Sequence, residues 1–281
     1  MRKLPKLLDS VKRCDFKTIQ LYVASPRGYS VKCDFQDIAA TKEYADSNGI
    51  NLNVHSSLAI NICGCSKLEK DPKFSQKKHG SINCLAEHMD MCSLLGAKLV
   101  VHTGSCVDKE RQYEELCKNV TNAFTKQTKF NGDPKKRHML LENSAGEGNK
   151  LGFTIQGLAD ILACLPDDIA NRIDFCLDTA HVSSAGEYNL GTTEGIDDLY
   201  EDIDRILGIE RVKLIHLNDS LVPFGSKVDR HAALCQGTIW KGKINMLKYF
   251  IEKFGNIQMI GEPPRESVND LDLLKELGLV D

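Results

Sequence analysis

No stretch of this 281-residue chain stays apolar for the roughly 18 residues that a membrane-spanning helix needs. The basic N-terminus, MRKLPKLLDSVKRCD, has no apolar core of signal-peptide length. The expectation is an intracellular protein, cytoplasmic or nuclear, neither secreted nor tied to a membrane. Proline is scarce, at 8 residues, and no Gly/Ser-rich tract marks a linker. One domain over residues 1–281 is expected. No excess of positive charge is present: 36 Lys and Arg face 39 Asp and Glu, for a net charge of −3. That excludes a strongly basic nucleic-acid arm. There is no CxxC pair. The 11 cysteines are scattered, and Cys63 and Cys65 form the only close pair. In a reducing compartment most read as core thiols. A redox or metal role for Cys63 and Cys65 is the rarer alternative.

What the chain does have is a recurring unit. Short apolar, β-branched runs stand at 18–24, 50–55, 98–104, 138–143, 172–178, 212–219 and 257–263. Most read as strands buried on both faces, as in a parallel sheet covered by helices. Helical patterns lie between them at 81–97, 113–127, 155–165, 195–207 and 243–254. Strand, helix, strand in succession is the grammar of an α/β fold. A TIM-type (β/α)8 barrel suits the length and the count better than an open doubly wound sheet. No GxGxxG follows any run, which weakens a dinucleotide-binding reading. Seven βα units are visible, and the first strand of a barrel is not evident. The chain opens on a helix-like stretch, LPKLLDSVKRCD, that should follow a strand. Residues upstream of Met1 that complete the barrel are the expectation.

Polar residues sit at the C-terminal ends of these runs. They are His55, His102, Glu142, Asp178 with His181 three residues on, His216 and Glu262, with Asp229 and His231 between the last two runs. In a barrel such ends converge on the face where active sites are built. One strand-end histidine is commonly structural, and one buried acid is commonly ion-paired. Five of the eight histidines and four acids on one rim, with only Arg230 among them, demand another compensator. Divalent metal supplies it. Imidazole and carboxylate without thiolate suit zinc, manganese or iron. Nine ligands exceed the needs of one ion, so a cluster with a bridging carboxylate is implied.

The segments NVHSSLAIN, VVHTGS, LLENSAGEGNKLG, FCLDTAHVSSAG, LIHLNDS, KVDRHAALCQGTI and MIGEPPRE, in this order, resemble the endonuclease IV family of apurinic/apyrimidinic endonucleases. The resemblance runs from about residue 18 to about residue 275. It implies a βα barrel with three zinc ions per chain, manganese being an alternative at one or more sites. Position by position, His55, His102 and Glu142 would hold one ion. Glu142, Asp178, His216 and Glu262 would hold the second, and His181, Asp229 and His231 the third. Glu142 and Glu262 would be the catalytic carboxylates. The implied reaction is hydrolysis of the phosphodiester bond 5′ to an abasic site in double-stranded DNA, by a monomer, leaving a 3′-hydroxyl. A sugar isomerase or epimerase on a related barrel is the alternative. It would use one metal on Glu142, Asp178, His216 and Glu262, without need of the other ligands.

Two features depart from the family pattern. Its opening strand, resembling GAHxS, has no counterpart here. Where the family often carries an aromatic in HxSY, this chain has Leu58, which could still act as an apolar wedge. The segment CSKLEKDPKFSQKKH (65–79) carries five lysines against Glu69 and Asp71. Read as a loop on the active face, it offers Lys67, Lys70 and Lys73 to phosphates. Arg27, Lys227, Arg230, Lys241 and Lys243 follow strands on the same face. The equally basic KFNGDPKKRH (129–138) precedes a strand and reads as a solvated turn.

Overall fold

The computed structural model describes residues 17–25, 27–29, 31, 35–64, 72–262, 264 and 270–278. The helix-like opening, Cys65, Lys67, Lys70 and the side chain of Lys73 lie outside the described residues. The chain divides into two compact units. The first takes the described residues up to Leu141 together with Ile161–Asp174. The second takes Glu142–Asp160 and the described residues from Phe175 onward.

In the first unit, strands β1 (Thr18–Leu21), β2 (Asn51–His55) and β3 (Lys98–His102) pair in parallel, with Leu21 opposite Val54 and Val54 opposite Leu99. Val54, Leu99, Val100 and Val101 are fully buried, which is why these runs are apolar at consecutive positions and do not alternate. Helix α1 (Phe35–Ser47) precedes β2, helix α2 (Pro72–Leu95) precedes β3, and helix α3 (Gln112–Thr125) follows it. Helix α2 starts nine residues before the expected 81, with Pro72, a residue suited to the first helical turn, at its start, and it continues through Gly80. The last part of the expected lysine loop is therefore helical. Lys78 is drawn off to Glu115, 2.5 Å away on α3.

The reading of 129–138 as a solvated turn is wrong for Arg137, whose side chain is fully buried. Its guanidinium donates to Asp90 Oδ1 at 2.8 Å and Oδ2 at 2.9 Å. Its Nη1 also donates to the carbonyls of Ala123 and Phe124, the last turn of α3. Those C-terminal carbonyls lack intrahelical donors and carry the negative end of the helix dipole. A cation is drawn there, and Asp90 neutralises it.

Strands β4 (Met139–Glu142) and β5 (Ile173–Asp178) carry the chain between the two units. Among the helices that follow β4 are α4 (Ile155–Ala163), α5 (Asp167–Ala170), α6 (Thr179–Ala185) and α7 (Thr193–Ile206). In the second unit, β5 pairs in parallel with β6 (Val212–His216), and β6 with β9 (Gln258–Ile260). The seven-stranded sheet has the order β1-β2-β3-β4-β5-β6-β9. All seven expected runs contain its strands. Helix α7 is capped by Thr192, whose hydroxyl accepts the N–H of Gly195, and buries Ile196, Leu199 and Ile203 at helical spacing. Helix α8 (Ile244–Phe254) buries Leu247 and Phe250, with Phe250 5.9 Å from Trp240. Helix α9 is Asp270–Glu276.

An antiparallel hairpin that the sequence reading did not separate joins β7 (Asp219–Ser220) to β8 (His231–Ala232), with Ser220 opposite His231. Asp219 anchors it. The buried carboxylate accepts the N–H of Ser220 at 2.8 Å and of Ile239 at 2.9 Å on Oδ1, and of Gly237 at 3.1 Å on Oδ2. Position 237 must be glycine, because a Cβ there would collide with the Asp219 carboxylate and the Ser220 carbonyl.

Candidate metal centre

Most candidate ligands are brought to their places at or just past strand ends; His181 lies in the first turn of α6 and Asp229 in the loop before β8. In the first unit, His55 ends β2 and His102 ends β3, and their rings lie 5.0 Å apart. His55 Nδ1 sits 2.8 Å from the Ser56 carbonyl. That contact assigns Nδ1 as the donor, so Nε2 is the nitrogen that would coordinate an ion.

In the second unit, Glu142, Asp178, His216 and Glu262 offer donor atoms within 4.8 Å of one another. His216 Nδ1 lies 3.0 Å from Glu142 Oε1 and 3.2 Å from Glu262 Oε2. Asp178, His181 and His231 form a second set within 4.8 Å. Asp229 stands against both of its imidazoles, 3.2 Å from His181 Nε2 and 3.3 Å from His231 Nε2. Asp178 belongs to both sets, a wider role for it than the resemblance implies.

The electrostatics are those of an anionic pocket. Burial would strip the proton from His181, yet Asp178, Asp229 and Glu142 raise its pKa to about 10. Burial opposes protonation of His231 too, and Asp178 and Asp229 raise its pKa to about 9. His216 is lifted well above its ordinary value against its burial, by Cys176, Glu262 and Glu142. Asp229, which burial would push up, is held far below the usual carboxylate range by His181 and His231. Four carboxylates therefore pull positive charge onto three buried or half-buried rings. Imidazole nitrogen and carboxylate oxygen are also the donor set of zinc, and a divalent cation answers the same demand.

Side chains that the sequence reading passed over, two of them neutral amides, hold the ligands in place. Asn143 brackets Asp178: its Oδ1 accepts the Asp178 N–H at 2.7 Å and its Nδ2 donates to the Asp178 carbonyl. The Asn143 carbonyl lies 2.8 Å from His181 Nδ1. Glu147 accepts the N–H of Asp229 and is itself paired with Lys150. Asn218 contacts both Asp178 and Glu262. Asn143 and Asn218 stand one and two residues after a ligand, and that adjacency in LLEN and LIHLND was the available signal.

The candidate DNA contacts are less gathered. Arg27, Lys227 and Arg230 are exposed. Lys227 Nζ lies 5.5 Å from the centre of the Phe153 ring, and Arg230 donates to the Asp229 carbonyl. Leu58 is 51% exposed, large for a leucine, on a loop tied down beneath it. Tyr29 donates to the Ala59 carbonyl, and Asn61 Oδ1 accepts from Cys63, Gly64 and Ser105. Cys63 is a buried thiol that donates to the Gln112 carbonyl.

Comparison with known proteins gives the family. Residues 8–276 match the family described as the xylose isomerase-like TIM barrel. A protein named as an endonuclease 4 in Halothermothrix orenii is 32% identical over 277 residues, covering 96% of this chain and 92% of that one. This chain belongs to the endonuclease IV branch of that barrel family. The crystal structure of endonuclease IV from Thermus thermophilus superposes with a TM-score of 0.78 at 27% identity, over 99% of this chain and 94% of that one. The apurinic-apyrimidinic endonuclease 1 of Plasmodium falciparum is 33% identical over 226 residues, 79% of this chain and 34% of that protein. Endonuclease IV membership makes the fold a TIM-type α/β barrel and the enzyme class a metal-dependent nuclease. Among the described residues no helix is long and apolar enough to cross a membrane.

Proposed function

We propose that this chain is a DNA-repair endonuclease that hydrolyses the phosphodiester bond 5′ to abasic sites and leaves a 3′-hydroxyl. Three zinc ions would be held by His55, His102 and Glu142; by Glu142, Asp178, His216 and Glu262; and by His181, Asp229 and His231. The observation that carries this reading is the double set in the second unit, where three imidazoles and four carboxylates meet through shared Asp178. A single-metal isomerase needs the set of Glu142, Asp178, His216 and Glu262 alone. It gives no reason for His181, Asp229 and His231 beside it.

When bound, zinc activates the attacking water and offsets charge on the scissile and leaving oxygens. The chain's own groups do the rest. Glu142 and Glu262 are the catalytic carboxylates, both against His216. Asp178 and Asp229 keep the imidazoles oriented. Arg27, Lys227, Arg230 and the lysines Lys67, Lys70 and Lys73 would meet phosphates, and Leu58 would press into the duplex at the lesion.

Zinc content and incision of a duplex with one abasic site test the proposal together. About three zinc per chain, a cut 5′ to the lesion, a 3′-hydroxyl on the product and loss of cutting on chelation support it. One metal per chain with ketose interconversion, or a zinc-loaded chain that leaves the duplex whole, would overturn it.

A further inference from the structure

Asn218 follows the candidate ligand His216 by two residues and is 2% exposed. Its backbone is clamped: its N–H donates to Thr179 Oγ1 at 2.8 Å, and that hydroxyl donates to the Asn218 carbonyl at 2.7 Å. Its side-chain oxygen accepts the N–H of Glu262 at 2.8 Å. That contact settles which way the amide faces, because only an oxygen can accept there. The two remaining hydrogens sit on Nδ2. Nδ2 lies 2.7 Å from Asp178 Oδ2 and 3.5 Å from Glu262 Oε2. One neutral carboxamide thus touches two candidate ligands that arrive on different strands and carry the same charge.

We infer that Asn218 is a positioning residue of the metal centre, and that its amide donors set the orientation and spacing of the Asp178 and Glu262 carboxylates. The inference rests on the metal reading above. Two anions side by side repel one another, and a donor shared between them offsets that repulsion before any cation arrives. The oxygens it touches, Asp178 Oδ2 and Glu262 Oε2, are also the ones that face His231 and His216, and each keeps a second lone pair for an ion. A cationic side chain in this place would compete with zinc for the carboxylates. A neutral donor does not.

The test is zinc affinity of the full chain, measured by competition with a chromophoric chelator, for the native chain and for Asn218→Ala. Removal of an outer partner of this kind lowers metal affinity on the order of 10- to 100-fold. The expected result is a drop of that size in the tightest zinc sites, with the metal-free forms of both proteins keeping the same circular dichroism. Equal zinc affinity in the two proteins would overturn the inference while leaving the metal reading intact. Failure of the native chain to bind zinc would sink the metal reading itself. A second measurement covers the case in which Asn218→Ala does not fold. In native chain labelled with 15N-asparagine, the Asn218 side-chain amide, assigned through Leu217 and Asp219, should shift when zinc is stripped and return when it is restored. A signal indifferent to zinc would count against the inference.

Discussion

Asp178 accepts the backbone N–H of His181 on Oδ1 at 3.0 Å. The carboxylate that belongs to both candidate ligand sets is therefore also the N-cap of helix α6. One side chain carries two duties that mutation can separate. Asp178→Asn keeps a capping oxygen and loses the charge, so it should fold with little loss of stability and lose zinc and turnover together. Asp178→Ala also loses the cap, at a further cost of about 1 kcal/mol. Thermal melts of the metal-free variants read the cap, and zinc content reads the charge. Equal melting of the two variants would show that the cap is worth nothing here.

The Arg137–Asp90 pair is fully buried, with both oxygens of the carboxylate engaged. Removing one partner strands a charge, at a typical cost of about 3–5 kcal/mol. Arg137→Met should melt far below the native chain. Arg137→Met with Asp90→Leu should recover a large part of the loss. A double variant no better than the single one would place the contribution in the α3 carbonyl contacts and not in the ion pair.

His88 is buried on α2, its Nε2 3.4 Å from the Cys84 sulfur, and burial, aided by the charge of His55, lowers its pKa to about 4. In the unfolded chain it titrates near 6.5. The folded value is the lower one, so the unfolded state binds the extra proton. The associated stability is intact above about pH 6.5 and is lost as pH falls from there toward 4. By pH 5 the loss amounts to about 2 kcal/mol on that linkage. His88→Met should flatten the fall in melting temperature between pH 7 and pH 5 by several degrees relative to the native chain. Parallel curves for the two proteins would refute it.

Lys67, Lys70 and Lys73 are the candidates for phosphate binding in the 65–79 segment; of its other two lysines, Lys78 is engaged by Glu115 and Lys77 is exposed. Replacing all three with alanine should weaken binding to any duplex. The slope of log affinity against log salt should fall by roughly one for each phosphate that a lysine no longer neutralises. Lys78→Ala should leave the slope where it was. A triple variant with the native slope would make the segment an ordinary solvated surface.

The strands were legible because a strand covered on both faces must be apolar at consecutive positions, as Leu99, Val100 and Val101 show. The candidate ligands were legible because they break those runs at their ends, as His55 and His102 do. The helix Phe35–Ser47 was missed because it buries only Ile38, Thr41 and Ala45, too few apolar groups to make a stripe. Arg137 was misread because a basic run looks solvated until a helix end and an acid from elsewhere in the chain converge on it. Asn218 and Asn143 carry no charge and no periodicity. Their importance lies in which atoms they face, and no one-dimensional pattern records that.

The hairpin that carries His231 is held shut by three backbone N–H groups on one buried carboxylate, Asp219. Those three contacts tie down the base of the segment. On the proposed reading it would offer an arriving duplex little rearrangement of its own, and the burden of adjustment would pass to the nucleic acid. A helix that already bends easily at its lesion would be seated with little work, and a stiff intact one would be refused at the threshold. Discrimination of damaged from sound DNA would then draw on the mechanics of the substrate as much as on any contact to the missing base.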